Sequence, residues 1–222
     1  MKMSLLKGLP QIVQIHASKR TDRAALTEVW TTQHGVHIEL FEAIMDKDGR
    51  RGCALSHTAV ARHATPYLVL EDDAVPTLHA LTDIQGLVDI RDALKSYDIV
   101  YLGGWPLANR SSKFLTLQEG ACLCTHAMIV GERAATWLRN FKFSKTPIDV
   151  ALARAPLRFA WTRHEWFSQA QSASDVNGSA LTKSKIFMAS MQLVSTAWRF
   201  VMLHRLVCFL AMLYLLRVSL LS

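Results

Sequence analysis

Three adjacent carboxylates, Glu71-Asp72-Asp73, follow directly on four apolar or aromatic residues, Tyr67-Leu68-Val69-Leu70, and prolines at 66 and 76 fence the whole stretch. The apolar run is too short for a helix and reads as a strand buried on both faces. The acids then fall where that strand leaves its sheet, and the carboxyl ends of strands are where open α/β sheets bind ligands. Adjacent carboxylates repel one another. A hard divalent ion such as Mg²⁺ or Mn²⁺ relieves the repulsion and takes oxygen ligands; a solvated acidic turn is the alternative. Side chains alternate along an extended chain, so Glu71 and Asp73 are expected to share a side with Asp72 turned away.

Other chemistry-bearing residues are scattered along the chain. Arg20 and Arg23 stand in a basic turn after the first expected strand, a place suited to phosphates or to plain solvation. His57 lies near the start of an expected helix, where it is either a donor facing a ligand or a structural side chain. Gly103 and Gly104 end another apolar run, and glycines there let a ligand or a backbone approach closely. Asp149 follows Pro147 in the expected first turn of a helix, where the helix dipole already favours a carboxylate. Cys53, Cys122, Cys124 and Cys208 form no Cys-x-x-Cys pair. Cys122 and Cys124 would point the same way along a strand, but two thiols do not make a zinc site. Reduced thiols in a reducing compartment are the expectation.

The elements that must position these residues alternate. Strands are expected at 12–15, 36–44, 67–70, 98–105, 113–118, 127–130 and 157–161. Helices are expected from an N-cap at Thr21 or Asp22 to about Gln33, stopped by Gly35, from Gly52 to about Ala64, within 78–96, at 132–141, and after Pro147. Strands alternating with helices indicate an α/β fold. Half of the 222 residues are hydrophobic, enough for a layered core. The net charge of +7 is uneven: all 18 Asp and Glu fall at or before Asp175, and Lys183, Lys185, Arg199, Arg205 and Arg217 come after it. A near-neutral body argues against nucleic acid as its partner, and the basic tail suits an anionic membrane surface. Residues 206–216 are an apolar run between Arg205 and Arg217, spanning only about 16 Å as a helix. That favours a helix lying in the membrane interface, with a short tail anchor or packing on a protein as alternatives. Residues 1–10 lack the long apolar core of a signal peptide. The expected organisation is a domain at 1–180 and a membrane-associating tail at 181–222, in the cytoplasm and attached to a membrane peripherally or by the tail.

Gly52-Cys53-Ala54-Leu55-Ser56-His57, followed nine residues later by Tyr67-Leu68-Val69-Leu70-Glu71-Asp72-Asp73, resembles the signature of glycosyltransferase family 25. That family includes bacterial lipooligosaccharide galactosyltransferases and the related collagen galactosyltransferases. The turn Arg20-Thr21-Asp22-Arg23, the segments Phe41-Glu42-Ala43-Ile44 and Tyr101-Leu102-Gly103, the stretch Thr125-His126-Ala127-Met128-Ile129-Val130, Pro147-Ile148-Asp149 and Ser174-Asp175 resemble further family segments in the same order. The likeness spans about residues 10–178. The segment between Gly104 and Cys122 is shorter than in many members, and Trp166-Phe167-Ser168-Gln169 matches only loosely, which bears on the acceptor.

The resemblance implies a GT-A-like fold, with a mixed central sheet flanked by helices, and transfer of a sugar, usually galactose, from a UDP-sugar to a saccharide or lipid-linked glycan. It implies Asp73 and Glu71 as ligands of Mn²⁺ or Mg²⁺, with His126 and His164 as weaker candidates for a third contact. It places Arg23, Ser56, His57, Asp72 and Gly103 at the substrates. Inversion needs a carboxylate to take the acceptor proton, for which Asp149 is the first candidate and Asp175 the second. Two other readings are a metal-dependent phosphohydrolase and a catalytically silent, membrane-associated protein that keeps the fold.

Overall fold

The computed structural model describes residues 5–170. Asp175 and the tail at 181–222 lie outside the described residues. The chain divides into the units Met1–Ser172 and Ala173–Ser222, and every described element belongs to the first.

After a 3-10 turn at Leu5–Gly8 come β1 (Gln11–His16), α1 (Thr21–His34), β2 (Glu39–Glu42), α2 (Gly49–Val60), β3 (Tyr67–Glu71), β4 (Ala74–Pro76), α3 (Leu78–Thr82), α4 (Ile84–Ala93), β5 (Ile99–Tyr101), β6 (Trp105–Pro106), β7 (Arg110–Ser111), β8 (Leu117–Glu119), β9 (Cys122–Leu123), β10 (Ala127–Val130), α5 (Glu132–Asn140), α6 (Ile148–Ala153), β11 (Phe159–Thr162) and β12 (Phe167–Gln169). Eight strands form one mixed sheet in the order β2-β1-β3-β10-β5-β11-β8-β7. β1 is parallel to β2 and β3, β10 is antiparallel to β3 and β5, and β5 is parallel to β11. Thus β2, β1, β3, β5 and β11 all finish at one edge, and β10 starts there. Two ribbons continue from that edge: β4, after β3, pairs with β12, and β6, after β5, pairs with β9.

Alternation along β3 explains its unbroken apolar sequence. Leu68 and Leu70 enter one core with Ile12, Trp30 of α1 and Ile90 of α4. Tyr67 and Val69 enter the other with Val13, Val60 of α2, Leu138 of α5 and Leu152 of α6. A sheet covered by helices on both faces has no polar side to show. The α/β architecture with a mixed sheet flanked by helices is therefore the one expected.

Several boundaries differ from those expected. Arg20, not Thr21 or Asp22, stands at the N-cap of α1 and makes no capping side-chain bond; Asp22 instead accepts from the Arg20 guanidinium at 2.9 and 3.0 Å. Gly35 closes α1 in the left-handed conformation at φ 57°. α2 starts at Gly49 rather than Gly52, because the Asp48 side chain accepts from the Arg50 amide at 3.1 Å. Gly52 lies inside that helix, where an added Cβ would stand 2.6 Å from the Ile44 carbonyl oxygen. The expected strand at 36–44 shrinks to β2, an edge strand with little burial. β4 and β12 carry no alternation long enough to announce them. Among the described residues, no helix is long and apolar enough to cross a membrane.

Candidate functional site

Glu71 is the last residue of β3 and its amide donates to the His126 carbonyl at 2.9 Å, joining the end of β3 to the start of β10. Its carboxylate accepts from the Thr125 hydroxyl at 2.7 Å and lies 3.2 Å from His57 Nε2, with Cys53 Sγ at 4.0 Å. Cys53 and His57 are four residues apart on α2 and so share one face. Cys53, His57 and Glu71 form a compact group of potential metal-ligating atoms. Burial pushes the Glu71 acid up, but the His57 and Thr125 hydrogen bonds prevail and hold it down at about 2. Burial, then the charges of Glu71 and Asp149, push the Cys53 thiol well above its ordinary value, so it stays protonated.

The strand stops at Glu71, and a turn through Asp72 and Asp73 leads into β4. The strand pleat stops at Glu71, yet Glu71 and Asp73 stay neighbours: the Glu71 charge raises the Asp73 acid, and both charges raise the Cys124 thiol. Asp72 accepts from the Ala17 amide at 3.2 Å and pairs with Arg23. Asp73 Oδ2 lies 3.5 Å from the same guanidinium. One arginine from the start of α1 thus spans both aspartates, while Glu71 turns to α2 and Thr125. Asp73 Oδ1 is buried with no hydrogen-bond partner. Burial, then the Glu71 charge, push the Asp73 acid up to about 6.

Asp149 sits in the first turn of α6, as its sequence context suggests, and accepts from the Val150 amide at 2.7 Å and the Cys124 amide at 3.3 Å. Cys124 has φ 72°, so it does not continue the alternation begun at Cys122; the kink presents its amide to Asp149 while the next residue, Thr125, holds Glu71. Two adjacent residues connect the two carboxylates, and neither was marked as functional by its local sequence.

The Ser56 hydroxyl is buried, donates to the Gly52 carbonyl and accepts from the Ile44 amide, both at 2.9 Å, which clasps α2 to the segment before it. At Gly103 an added Cβ would run into the Phe167 carbonyl oxygen and the His126 ring, so its own chain makes the close approach. His126 Nε2 lies 3.0 Å from that carbonyl, and its other ring nitrogen is buried without a partner. His164 is exposed and stacks on His79 with ring centroids 4.5 Å apart. A surface concavity of about 630 Å³ runs along α5, and none of the candidate residues line it.

No family model matches the chain, and no curated protein matches it. Among solved structures it is similar to the crystal structure of a glycosyltransferase involved in the glycosylation of the major capsid of PBCV-1. The identity is 17%, the match covers 71% of this chain and 82% of that one, and the TM-score is 0.39.

Proposed function

We propose that this chain is a glycosyltransferase that moves a sugar, galactose in the first instance, from a UDP-sugar to a saccharide or lipid-linked acceptor with inversion. One observation carries the reading: Glu71, Asp72 and Asp73 stand together at the carboxyl edge of the parallel strands, and Thr125 and Cys124, adjacent in the chain, join Glu71 to a further carboxylate, Asp149. A diphosphate leaving group gains negative charge as the glycosidic bond breaks, and such an edge repels it unless a cation intervenes. The residues fit a hard divalent ion. Asp73 offers a buried oxygen without a partner, on a carboxyl whose neighbours resist its ionisation. Asp73 would hold the ion with Glu71 as the second ligand; the protonated Cys53 thiol is a poor ligand for Mg²⁺ or Mn²⁺. When bound, such an ion neutralises charge on the diphosphate.

The chain's own groups divide the remaining work. Arg23 fixes the turn by holding Asp72 and Asp73, and His57 with Thr125 keeps Glu71 ionised. The acceptor oxygen attacks the anomeric carbon as the bond to the diphosphate breaks, and its proton passes to Asp149. The amides of Cys124 and Val150 fix the orientation of the Asp149 carboxylate before it receives the proton. In this reading the basic tail at 181–222 keeps the enzyme on the cytosolic face of a membrane, where lipid-linked acceptors lie.

UDP release with Mn²⁺ and a panel of UDP-sugars tests the reading. One donor is expected to hydrolyse slowly, and Asp73→Ala to abolish the release. Asp149→Asn is expected to lower acceptor-dependent turnover by about 10²–10⁴-fold while UDP still binds. Release of inorganic phosphate in place of UDP would point to the phosphohydrolase. No release from any donor, together with no calorimetric binding of UDP and Mn²⁺, would overturn the proposal.

A further inference from the structure

A second concavity, of about 220 Å³, opens beside the carboxylate edge where β5 and β11 end, lined by Tyr101, Gly103, Gly104, Cys122, Trp161 and Glu165 among others. Tyr101 and Trp161 are register partners on adjacent parallel strands, so their side chains leave the same face of the sheet. The Trp161 indole donates to the Ala108 carbonyl at 3.2 Å, which fixes the plane of its ring. Gly103 and Gly104 lie in its wall with no room for a side chain, since an added Cβ would press on the Phe167 carbonyl at Gly103 and on the Leu123 carbonyl at Gly104. Tyr101 is almost fully buried, yet its hydroxyl has no hydrogen-bond partner. A buried hydroxyl left unpaired costs about 1–3 kcal/mol, and native structures seldom tolerate one without a reason. Asp149 lies within electrostatic reach: its charge adds to burial and to that of Cys122 in raising the Tyr101 phenol.

The shape and chemistry are particular. The volume falls below the roughly 300–1,000 Å³ of pockets that hold drug-sized ligands and is on the scale of one sugar ring. An indole offers a flat apolar surface to the C–H face of a pyranose. The phenol and the Glu165 carboxylate offer partners to its hydroxyls, and Trp105, 44% exposed, follows Gly104 in the chain. We infer that this concavity is the acceptor subsite and binds one pyranose of the acceptor, with the Tyr101 hydroxyl as a hydrogen-bonding contact and Trp161 as the stacking surface. The inference rests on the glycosyl-transfer reading and deepens it by naming where the acceptor sits.

The test uses the full chain labelled with ¹⁵N, with the Trp161 indole signal identified by its loss in Trp161→Phe. Methyl glycosides of galactose, glucose and mannose are titrated at millimolar concentration, and UDP with Mn²⁺ is titrated separately. At least one glycoside is expected to shift the Trp161 signal saturably, and Tyr101→Phe to weaken that binding about five- to tenfold, the worth of one neutral hydrogen bond. Tyr101→Phe removes only an unpaired hydroxyl, so a purely structural role predicts a folded protein with unchanged glycoside affinity, and that result would overturn the contact. No Trp161 shift with any of the three glycosides would overturn the subsite. If UDP and Mn²⁺ bind in that case, the donor reading stands while the subsite falls; a glycoside shift without UDP binding keeps the subsite and removes the donor reading.

Discussion

Glu71 and Asp73 stand two positions apart at one strand end, and the fold drives their acid strengths in opposite directions. Hydrogen bonds to His57 and Thr125 take Glu71 down to about 2 from 4.5, whereas burial and the Glu71 charge take Asp73 up to about 6 from 3.8. Paired carboxyls whose acid strengths diverge are common at functional sites. The consequence for stability has a definite sign. Between 3.8 and about 6 the folded protein keeps a proton on Asp73 that the unfolded chain has lost, so metal-free stability falls as pH rises through that window. The loss should be on the order of 2–3 kcal/mol at neutral pH. Glu71 acts oppositely: its contribution is present above 4.5 and is lost as pH falls toward 2. Thermal unfolding in chelator across a pH series should show the decline in the wild type and not in Asp73→Asn, which should be the more stable protein at neutral pH. An equal decline in both would show that Asp73 is not its source.

At the scale of elements, β10 is the decisive insertion. It lies antiparallel between β3 and β5, so its start, not its end, meets the edge where the parallel strands finish, and this brings Thr125 and His126 to the carboxylates. The glycines at that edge and at the end of α1 do different work. Gly35 is needed for its left-handed φ of 57°, and an added Cβ there would meet only the flexible end of Lys7, at 3.2 Å. Gly103 is needed for space, because a Cβ would press on the Phe167 backbone and the His126 ring. Gly35→Ala should cost about 1–2 kcal/mol, the penalty of a left-handed alanine. Gly103→Ala should cost more, since backbone and a buried ring must both move. Urea denaturation of the two variants checks the order, and equal or inverted losses would refute the close approach at Gly103.

At the scale of the molecule, charge and apolarity are segregated along the chain. The unit Met1–Ser172 holds nearly all of the carboxylates, and the basic residues of the tail follow it. The Ala170 amide donates to the Asp73 carbonyl at 2.7 Å, so the chain is tied to the site almost to the end of that unit. A cut beyond residue 178 spares this bond and the Ser174-Asp175 pair. A chain ending at residue 178 is expected to keep donor hydrolysis and to stop sedimenting with anionic liposomes, which the full chain should accompany in a salt-sensitive way. Unchanged sedimentation would move the membrane contact out of the tail.

Local pattern was enough for much of this protein. The apolar run at 67–70 could only be a strand covered on both faces, the apolar run Ala127–Val130 was a strand with the bounds read for it, and Gly35 marked a helix end because its neighbours could not adopt its φ. The acidic cluster at the β3 end was legible for the same reason: polar residues that abut a buried strand must lie where it leaves the core. Partnership was not legible. That Arg23 holds Asp72 and Asp73, that Thr125 and His57 hold Glu71, and that Cys124 turns its amide to Asp149 depend on pairs 14 to 54 residues apart. Such contacts leave no periodicity in the chain. The strand ends at Glu71, and the turn that feeds β4 into its pairing with β12 sets both aspartates on Arg23, a contact that alternation alone does not announce. Sequence determined which residues would be buried and where charge would collect; tertiary structure decided which charges face one another, because only packing two helices and an antiparallel strand against one sheet edge brings those groups within hydrogen-bonding distance.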